Sequence, residues 1–526
     1  MRKFTIKMSA WAGCALMAAA SLASAQINPG FDWAKSFGAA TDDDAFGLDV
    51  DKAGNIYVAG YFSGSMTLAG TNLNTQGGLD VCVAKFDNAG NALWARQAGG
   101  ASTDAAYAVA ADGTGNNVYV AGRFGGTATF GTNTLTSLGT QNLFLAKYDG
   151  AGNVLWARQA SGTGYEFARR IVLDESGGVY LAGAFQHPIT FNSNTINPVG
   201  SGDTLLAKYD SAGNFIWAKH SGDPGFYSEA YGLARDGVGN LFVTGYFDDS
   251  ITFGTTMLVS NGSHDLFVTK YDSSGNVLWA RSGGGTGSDW GWAVATDKSG
   301  NSFVTGYFSG TATFSGTQLI SSGSMDMYLA KFDPSGNLLW IRQGGGTGDD
   351  EGYDLTVDPD GNAVVTGWFT GSATFGTNHL GAAGGSSTDI FVAKYSGGGD
   401  LLWVKQAGSI SADYGRNITH DAIGGLYLTG RFTGSASFDT INRLSVGGSD
   451  VFVAKLATGM PALMLIPGPN AVQLSWPLVA WDYVLEATPN LSQSFASLSY
   501  TSTTNNGLIR VTVPTAGGER YFRLRK

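Results

Sequence analysis

The chain has 526 residues, a formal net charge of −11, 43% hydrophobic residues, 78 glycines and two cysteines. A chain this acidic argues against nucleic acid or an anionic membrane surface as partner and suits cations, basic proteins or neutral glycans. Its length exceeds one ordinary core, so several smaller cores are expected.

Residues 1–25 read as an export signal. Arg2, Lys3 and Lys7 form a charged start, an apolar run follows, and Ala23-Ser24-Ala25 supplies a small-residue cleavage pattern. The run from Met8 to Ala25 is barely long enough for a bilayer and ends in that pattern. The expectation is export with cleavage near Ala25, to a secreted or cell-surface location, with no membrane span. Loss of the three basic residues takes the net charge to −14 and leaves Cys82 as the sole cysteine, so no disulfide forms within one chain.

After a lead over residues 26–30 comes Phe31 to Phe37, a strand carrying Trp33. The same Trp strand returns at Trp94, Trp156, Trp217, Trp279, Trp340 and Trp403, at gaps of 61, 62, 61, 62, 61 and 63 residues. A fixed period of this kind marks a repeat architecture. In the second unit, Tyr107–Asp112, Asn117–Phe124, Asn142–Asp149 and Val154–Gln159 read as strands, being rich in β-branched and aromatic residues and separated by Gly, Asn and Asp turns. A Gly- and Thr-rich segment with Phe130 and Leu135 links the second and third. Runs such as Ile56 to Phe62 are apolar on both faces, which predicts sheets covered on both sides. The class is all-β, and radially stacked four-stranded sheets meet the requirement without helices.

A glycine recurs in the second strand at Gly60, Gly122, Gly183, Gly245, Gly306, Gly367 and Gly430, where a neighbouring sheet is expected to approach closely. Asp51, Asp112, Asp174, Asp236, Asp297, Asp358 and Asp421 each precede a Gly-containing turn. Asp358-Pro359-Asp360-Gly361 resembles a calcium loop, but the other copies lack the second carboxylate, so turn chemistry is preferred and no cofactor or metal is expected.

The count of strands at the two ends implies closure. One Trp strand is spare at Phe31 to Phe37, and the last unit stops after Val451 to Lys455 without one. Pairing the two completes a seventh sheet and removes both free edges. This predicts a seven-bladed β-propeller over residues 31–456. The Asp-x-x-Gly-Asn-x-Tyr-Val-x-Gly pattern of Asp51 to Gly60 resembles the bacterial seven-bladed β-propeller repeat (SBBP) family. That resemblance implies an exported propeller and supplies no catalytic residues.

Lys85, Lys147, Lys208, Lys270, Lys331, Lys394 and Lys455, with the basic residue two after each Trp, fill equivalent places in every unit. They are read as structural partners of Asp80, Asp203, Asp265, Asp326, Asp389 and Asp450. The Trp residues are read as core.

Binding is expected on the face carrying the long loop between second and third strands and the acidic loops into each unit. Two rings would line its centre. Asp43, Asp104, Glu166, Ser228 (with Glu229 one place later), Asp289, Asp350 and Asp413 form one; Phe46, Tyr107, Arg169, Tyr231, Trp292, Tyr353 and Arg416 form the other. An acidic mouth above aromatic and Arg side chains suits a cation, a basic peptide or a glycan; the structural alternative is that aromatics wedge between sheets and carboxylates cap strand ends. Units three to five deviate most from the repeat, at Tyr165, Arg169, Arg170, His187, Phe226, Tyr227, Glu229 and Trp290, and mark the expected glycan or peptide site.

Five histidines stand singly without metal-ligand spacing, and no nucleophile elbow is present. The expected function is non-catalytic binding of a glycan or protein by a monomer; the alternative is a propeller hydrolase or lyase acting on extracellular polysaccharide through loop carboxylates. Residues 457–461 read as a linker, and residues 462–526, with five or six short strands, as a small β-sandwich loosely similar to fibronectin-III or immunoglobulin modules.

Overall fold

The computed structural model describes residues 29–457 throughout, residues 6–7, residue 500, and the C-terminal strands between 464 and 525. The expected cleavage site and the 457–461 linker lie outside the described residues, apart from Ala457. The described residues fall into two compact units, one of them Gly30–Ala457 and the other made of the described strands before and after it.

In the larger unit, four-stranded antiparallel meanders repeat. Asp44–Val50, Ile56–Phe62, Asp80–Phe86 and Ala92–Gly100 make the first; Ala105–Ala111, Asn117–Phe124, Asn142–Asp149 and Val154–Ala160 make the second. The first strands Asp44–Val50, Ala105–Ala111, Glu166–Leu173, Ser228–Arg235, Trp290–Thr296, Asp350–Val357 and Tyr414–His420 lie side by side in chain order, and the last lies against the first. The ring is therefore closed, and the sheets form a β-propeller. Closure uses the predicted strand: Phe31–Phe37 pairs antiparallel with Ile441–Leu456, Trp33 opposite Lys455 and Ser36 opposite Phe452.

Both faces of each sheet are covered because neighbouring sheets share cores. One core joins Tyr57, Val81 and Val83 of the first sheet to Val118, Val120 and Phe144 of the second. The Trp side chains latch one sheet to the next. Nε1 of Trp33, Trp94, Trp279 and Trp340 donates at 3.1 Å to a carbonyl in the next sheet's last hairpin turn, at Asn88, Gly150, Pro334 and Gly397. Arg96, Arg158, Arg281 and Arg342 donate to carbonyls of the same turns. Every sheet presents such a turn, which is why every sheet keeps an indole and a cation there.

The added length of each repeat is a hairpin serving two sheets at once. Thr127–Phe130 and Asn133–Thr136 pair with each other, while Ala128 and Thr129 pair with Gly100 and Gly99 of the preceding sheet. Gln159 then holds the second arm, donating to the Thr136 carbonyl at 3.0 Å and accepting its N–H at 3.1 Å.

Two structural expectations are corrected. The recurrent strand glycine faces its own sheet rather than a neighbour: a Cβ on Gly306 would stand 1.8 Å from the Trp290 carbonyl oxygen, and one on Gly60 2.0 Å from that of Asp44. The cause is a β-bulge in each first strand, which swings a carbonyl over the glycine. Second, the third-strand lysines pair with the turn aspartates of their own sheet, Lys394 with Asp358 at 2.7 Å, Lys331 with Asp297 at 3.3 Å and Lys208 with Asp174 at 3.4 Å. They do not meet the Asp80 set, which lies at the far end of the strand. The turn aspartates also bind their own turns: Asp51 accepts the N–H groups of Ala53 and Asn55 at 2.9 Å.

Gly306→Ala is expected to destabilise by about 3 kcal/mol because the bulge must move, whereas Gly237→Ala, with nothing within 4 Å of its Cβ, is expected to be neutral or slightly stabilising. Urea denaturation of the pair checks this; equal effects would contradict the bulge account.

In the smaller unit, Met464–Pro467, Ala471–Pro477, Leu508–Pro514 and Ser502–Asn505 form one sheet, and Val484–Thr488, Ala496–Ser497 and Tyr521–Arg525 form another. Ile6 and Lys7 pair with Phe522 and Tyr521 in the second sheet.

Candidate functional site on the propeller axis

The bulge that crowds the second-strand glycine also aims a side chain at the axis. In each first strand the register skips one residue: Phe46, Tyr107, Arg169, Tyr231, Trp292, Tyr353 and Arg416. These residues form an unbroken circuit. Phe46 meets Tyr107 edge-on at 5.4 Å; Arg169 lies over Tyr107 at 4.5 Å and Tyr231 at 4.9 Å; Tyr231 meets Trp292 at 4.4 Å and Trp292 meets Tyr353 at 4.8 Å. Arg416 closes the circuit over Tyr353 at 5.0 Å and Phe46 at 5.1 Å. Room among the side chains amounts to about 20 Å³, enough for about one water. The ring fills the axis as a plug.

Both ring cations have counter-ions. Arg169 Nε lies 3.1 Å from Glu229, and Arg416 meets Asp44 through Nε and a terminal nitrogen at 3.2 Å each. Trp292 Nε1 donates to Glu351 at 2.9 Å; burial nevertheless pushes the Glu351 carboxyl up to about 7. Just beyond the plug, Arg170 reaches across the axis to Asp354 at 2.6 Å.

The expected acidic mouth is not solvent-facing. Asp43, Asp104, Glu166, Asp289, Asp350 and Asp413 are all buried, as are Ser228 and Glu229. Five of the carboxylates each staple two loops: Asp104 accepts the N–H groups of Gly100 and Gly125, Asp289 those of Gly285 and Ser309, Asp350 those of Gly346 and Thr370, Asp413 those of Ser409 and Thr433, and Asp43 those of Ala39 and Ser63. Loop N–H groups near a sheet end need acceptors, and these carboxylates supply them.

On the face where the chain enters the first strands, an aromatic bank stands over one arc of the plug. Tyr246 stacks on Trp290 at 4.0 Å, and Trp290 meets Tyr307 at 5.7 Å. Tyr227 lies 6.2 Å from Tyr246, with its hydroxyl 3.4 Å from Glu229. Phe226 and Tyr165 are each 36% exposed at the rim. Tyr227, Tyr231, Trp290 and Trp292 are thus brought together, while Tyr107, Tyr353 and Arg416 stand on the other arc of the ring. Tyr246 and Tyr307 are not among the sequence candidates. Their signal was present: the residue after the recurrent glycine is Tyr61, Arg123, Tyr246, Tyr307, Trp368 or Arg431 in six units.

The larger opening is on the opposite face, a cavity of about 450 Å³ walled by the far halves of the first strands and carrying Asp49, Arg170, Arg235, Asp354, Thr356 and His420. Several of its polar groups are occupied: Asp49 accepts the Ala111 and Val50 N–H groups, Arg235 binds Glu175 at 2.8 Å through its terminal nitrogens while its buried Nε has no hydrogen-bond partner among the described residues, and His420 Nδ1 lies 2.7 Å from Thr356 Oγ1.

These features define a β-propeller protein whose axis is sealed by an aromatic–arginine ring. No family model matches the chain. Among curated proteins it is 23% identical to an uncharacterized WD repeat-containing protein, L264, of Acanthamoeba polyphaga mimivirus, over 83% of this chain and 39% of that one. It is 30% identical to the regulatory protein FlaEY of Caulobacter vibrioides over 26% of this chain and 14% of that one. The chain thus spans well under half the length of these relatives. Among solved structures it is similar to the WD40 β-propeller domain of Doa1, at 10% identity and a TM-score of 0.43, covering 82% of this chain and 98% of that one. It is also similar to puromycin hydrolase, at 12% identity and a TM-score of 0.35, covering 84% and 59%.

Proposed function

We propose that this is an exported, seven-bladed, non-catalytic propeller scaffold that binds a protein or glycan partner on the entry face, with residues 462–526 as an accessory β-sandwich. The observation that carries the reading is the aromatic bank in which half-buried Tyr227 and Trp290 rest on buried Tyr246 and Tyr307, rimmed by exposed Phe226 and Tyr165. It breaks the sameness of the repeats in one sector, and aromatic side chains over a rigid support supply contact area at low entropic cost. Export is supported by Arg2, Lys3, Lys7 and the Ala23-Ser24-Ala25 pattern, and is tested by fractionating cells and sequencing the mature N-terminus.

The binding reading is tested on peptide and glycan arrays with the mature protein. Replacing Tyr165, Phe226 and Tyr227 by Ala is expected to weaken any hit about tenfold or more, since each tenfold is about 1.4 kcal/mol, while the melting temperature stays close to that of the parent. Binding unchanged in this triple variant, and in a Trp290→Ala variant, would remove the site.

A further inference from the structure

The seams between successive sheets carry paired acids. At five junctions the aspartate opening a third strand faces the aspartate opening the next first strand: Asp80 and Asp104, Asp265 and Asp289, Asp326 and Asp350, Asp389 and Asp413, and, across the closure, Asp450 and Asp43. All ten are 1% exposed or less. At three of the five a glycine opens the space between them. A Cβ on Gly99 would stand 2.8 Å from Asp80 Oδ1 and 2.9 Å from Asp104 Oδ2; on Gly345, 2.7 Å and 3.0 Å from Asp326 Oδ1 and Asp350 Oδ2; on Gly38, 2.5 Å and 2.7 Å from Asp450 Oδ1 and Asp43 Oδ2. Asp80, Asp326 and Asp450 each satisfy Oδ2 with a backbone N–H four residues back, while their buried Oδ1 atoms lack a hydrogen-bond partner.

The chain contains its own control. At the junction between the second and third sheets the place of Asp80 is taken by Asn142. Its Oδ1 accepts the Leu138 N–H four residues back at 2.8 Å, and its Nδ2 donates to Glu166 at 2.5 Å and to the Gly162 carbonyl at 2.8 Å. The amide nitrogen thus stands where the unpartnered Oδ1 stands in the other copies, and it puts a hydrogen between the two groups. At the next junction Ser228 replaces the second acid, and Asp203 is bonded to His220 Nδ1 at 2.7 Å. Where one carboxylate is missing, a neutral donor or an imidazole fills the gap.

We propose that at each of the five Asp–Asp junctions one proton is shared between the facing carboxyl groups, so that the seams of the ring are hydrogen-bonded acid pairs that hold in mild acid and part above neutrality. At Asp80, Asp326 and Asp450 the proton sits on the otherwise unpartnered Oδ1 and is donated across the seam, as Asn142 donates to Glu166; at the other two junctions Asp265 Oδ1 and Asp389 Oδ1 also accept the hydroxyls of Ser260 at 3.1 Å and Ser387 at 3.4 Å. The surroundings agree. No Lys or Arg forms an ion pair with any of the ten among the described residues. The charged neighbours are of like sign, Asp42 beside Asp43 and Asp349 beside Asp350; Tyr307 and Tyr328 face Asp289, and Cys82 faces Asp43. Burial and, after it, the facing carboxylate raise Asp43, Asp104 and Asp413 to about 6 and Asp289 and Asp350 to about 7. A carboxyl whose folded value lies above its unfolded one adds stability below the unfolded value and loses it as the pH climbs through the folded one.

The test is thermal unfolding of the full mature chain and its variants at about pH 5 and about pH 8, with and without calcium. The parent is expected to melt several degrees lower at the higher pH. Asp80→Asn with Asp326→Asn is expected to raise the melting temperature at the higher pH and shrink that difference; Asn142→Asp is expected to leave the lower-pH value unchanged and enlarge the difference. As a readout independent of stability, the infrared carbonyl band of protonated carboxyl groups should persist near pH 6 in the parent and weaken in the Asp80→Asn, Asp326→Asn protein. An Asn142→Asp variant with the parent's pH dependence overturns the proposal. So does a calcium-dependent rise in the parent's melting temperature that the Asn variants lose, because a cation, not a proton, would then bridge the pair.

Discussion

A chain lacking residues 31–37 is expected to lose its cooperative unfolding transition and to aggregate. The segment completes the last sheet from the far end of the sequence, and three of its side chains, Phe31, Ala34 and Phe37, are buried. The Phe31 ring meets Phe438 edge-on at 5.3 Å, the Phe31 N–H donates to Asp439 at 2.8 Å, and Trp33 latches onto Asn88 of the first sheet. Burying the two phenylalanines is worth about 3–6 kcal/mol, and each ladder hydrogen bond adds about 1 kcal/mol net. Together these approach the whole stability of an ordinary domain, about 5–15 kcal/mol. The loss is also topological, since it bares the edge of Ile441–Leu456 and leaves the first sheet unlatched. A peptide of residues 29–40 supplied in trans is expected to restore the transition in proportion to its concentration. Retention of the parent's melting temperature by the truncated chain would mean that the ring does not depend on its closing strand.

That closure was legible because it needs only counting: a Trp strand too many at one end and one too few at the other. Strand positions were equally plain, since short apolar runs rich in β-branched and aromatic residues between Asp-x-x-Gly-Asn turns have few other solutions. Legibility fails where register decides. The seven recurrent glycines announce a close approach, but whether a neighbour or the same sheet makes it depends on a one-residue bulge that no local pattern encodes; that bulge also turns Phe46, Tyr107, Arg169, Tyr231, Trp292, Tyr353 and Arg416 toward the axis. For the same reason composition alone does not say which aspartates the lysines meet, because Lys85 and Asp80 share a strand yet lie at opposite ends of it. The acidic loops read as a charged mouth because composition reports charge and not burial; the N–H groups that draw Asp104 and Asp350 inward belong to residues both four before and about twenty after them. The cavity on the opposite face had no sequence signal, being shaped by where the plug sits along the strands.

Loss of the Asp44 carboxylate is expected to cost about 3–5 kcal/mol, the penalty for a buried charge deprived of its partner. Asp44 is 1% exposed and holds Arg416 through two contacts at 3.2 Å, with Arg431 a further 3.6 Å away. In Asp44→Ala, Arg416 keeps the faces of Phe46, Tyr353, Trp368 and Tyr414, all within 5.2 Å. Those contacts are made in the parent as well, so they offset nothing, and the variant is destabilised by the lost ion pair while the plug loosens on that arc. Arg416→Met removes the charge and fills the same space, so Asp44→Ala with Arg416→Met is expected to be less destabilised than the sum of the two single changes, with a coupling of about 2 kcal/mol. Glu175→Ala is the matched control. Its side chain is 76% exposed although it meets Arg235 at 2.8 Å, and screening by water should make its cost far smaller than that of Asp44→Ala. Urea denaturation of the five proteins measures all of these quantities at once. Additive single and double variants, or an Asp44→Ala protein no weaker than Glu175→Ala, would show that the ring of aromatic and arginine side chains needs no counter-ion and that the axis is held shut by packing alone.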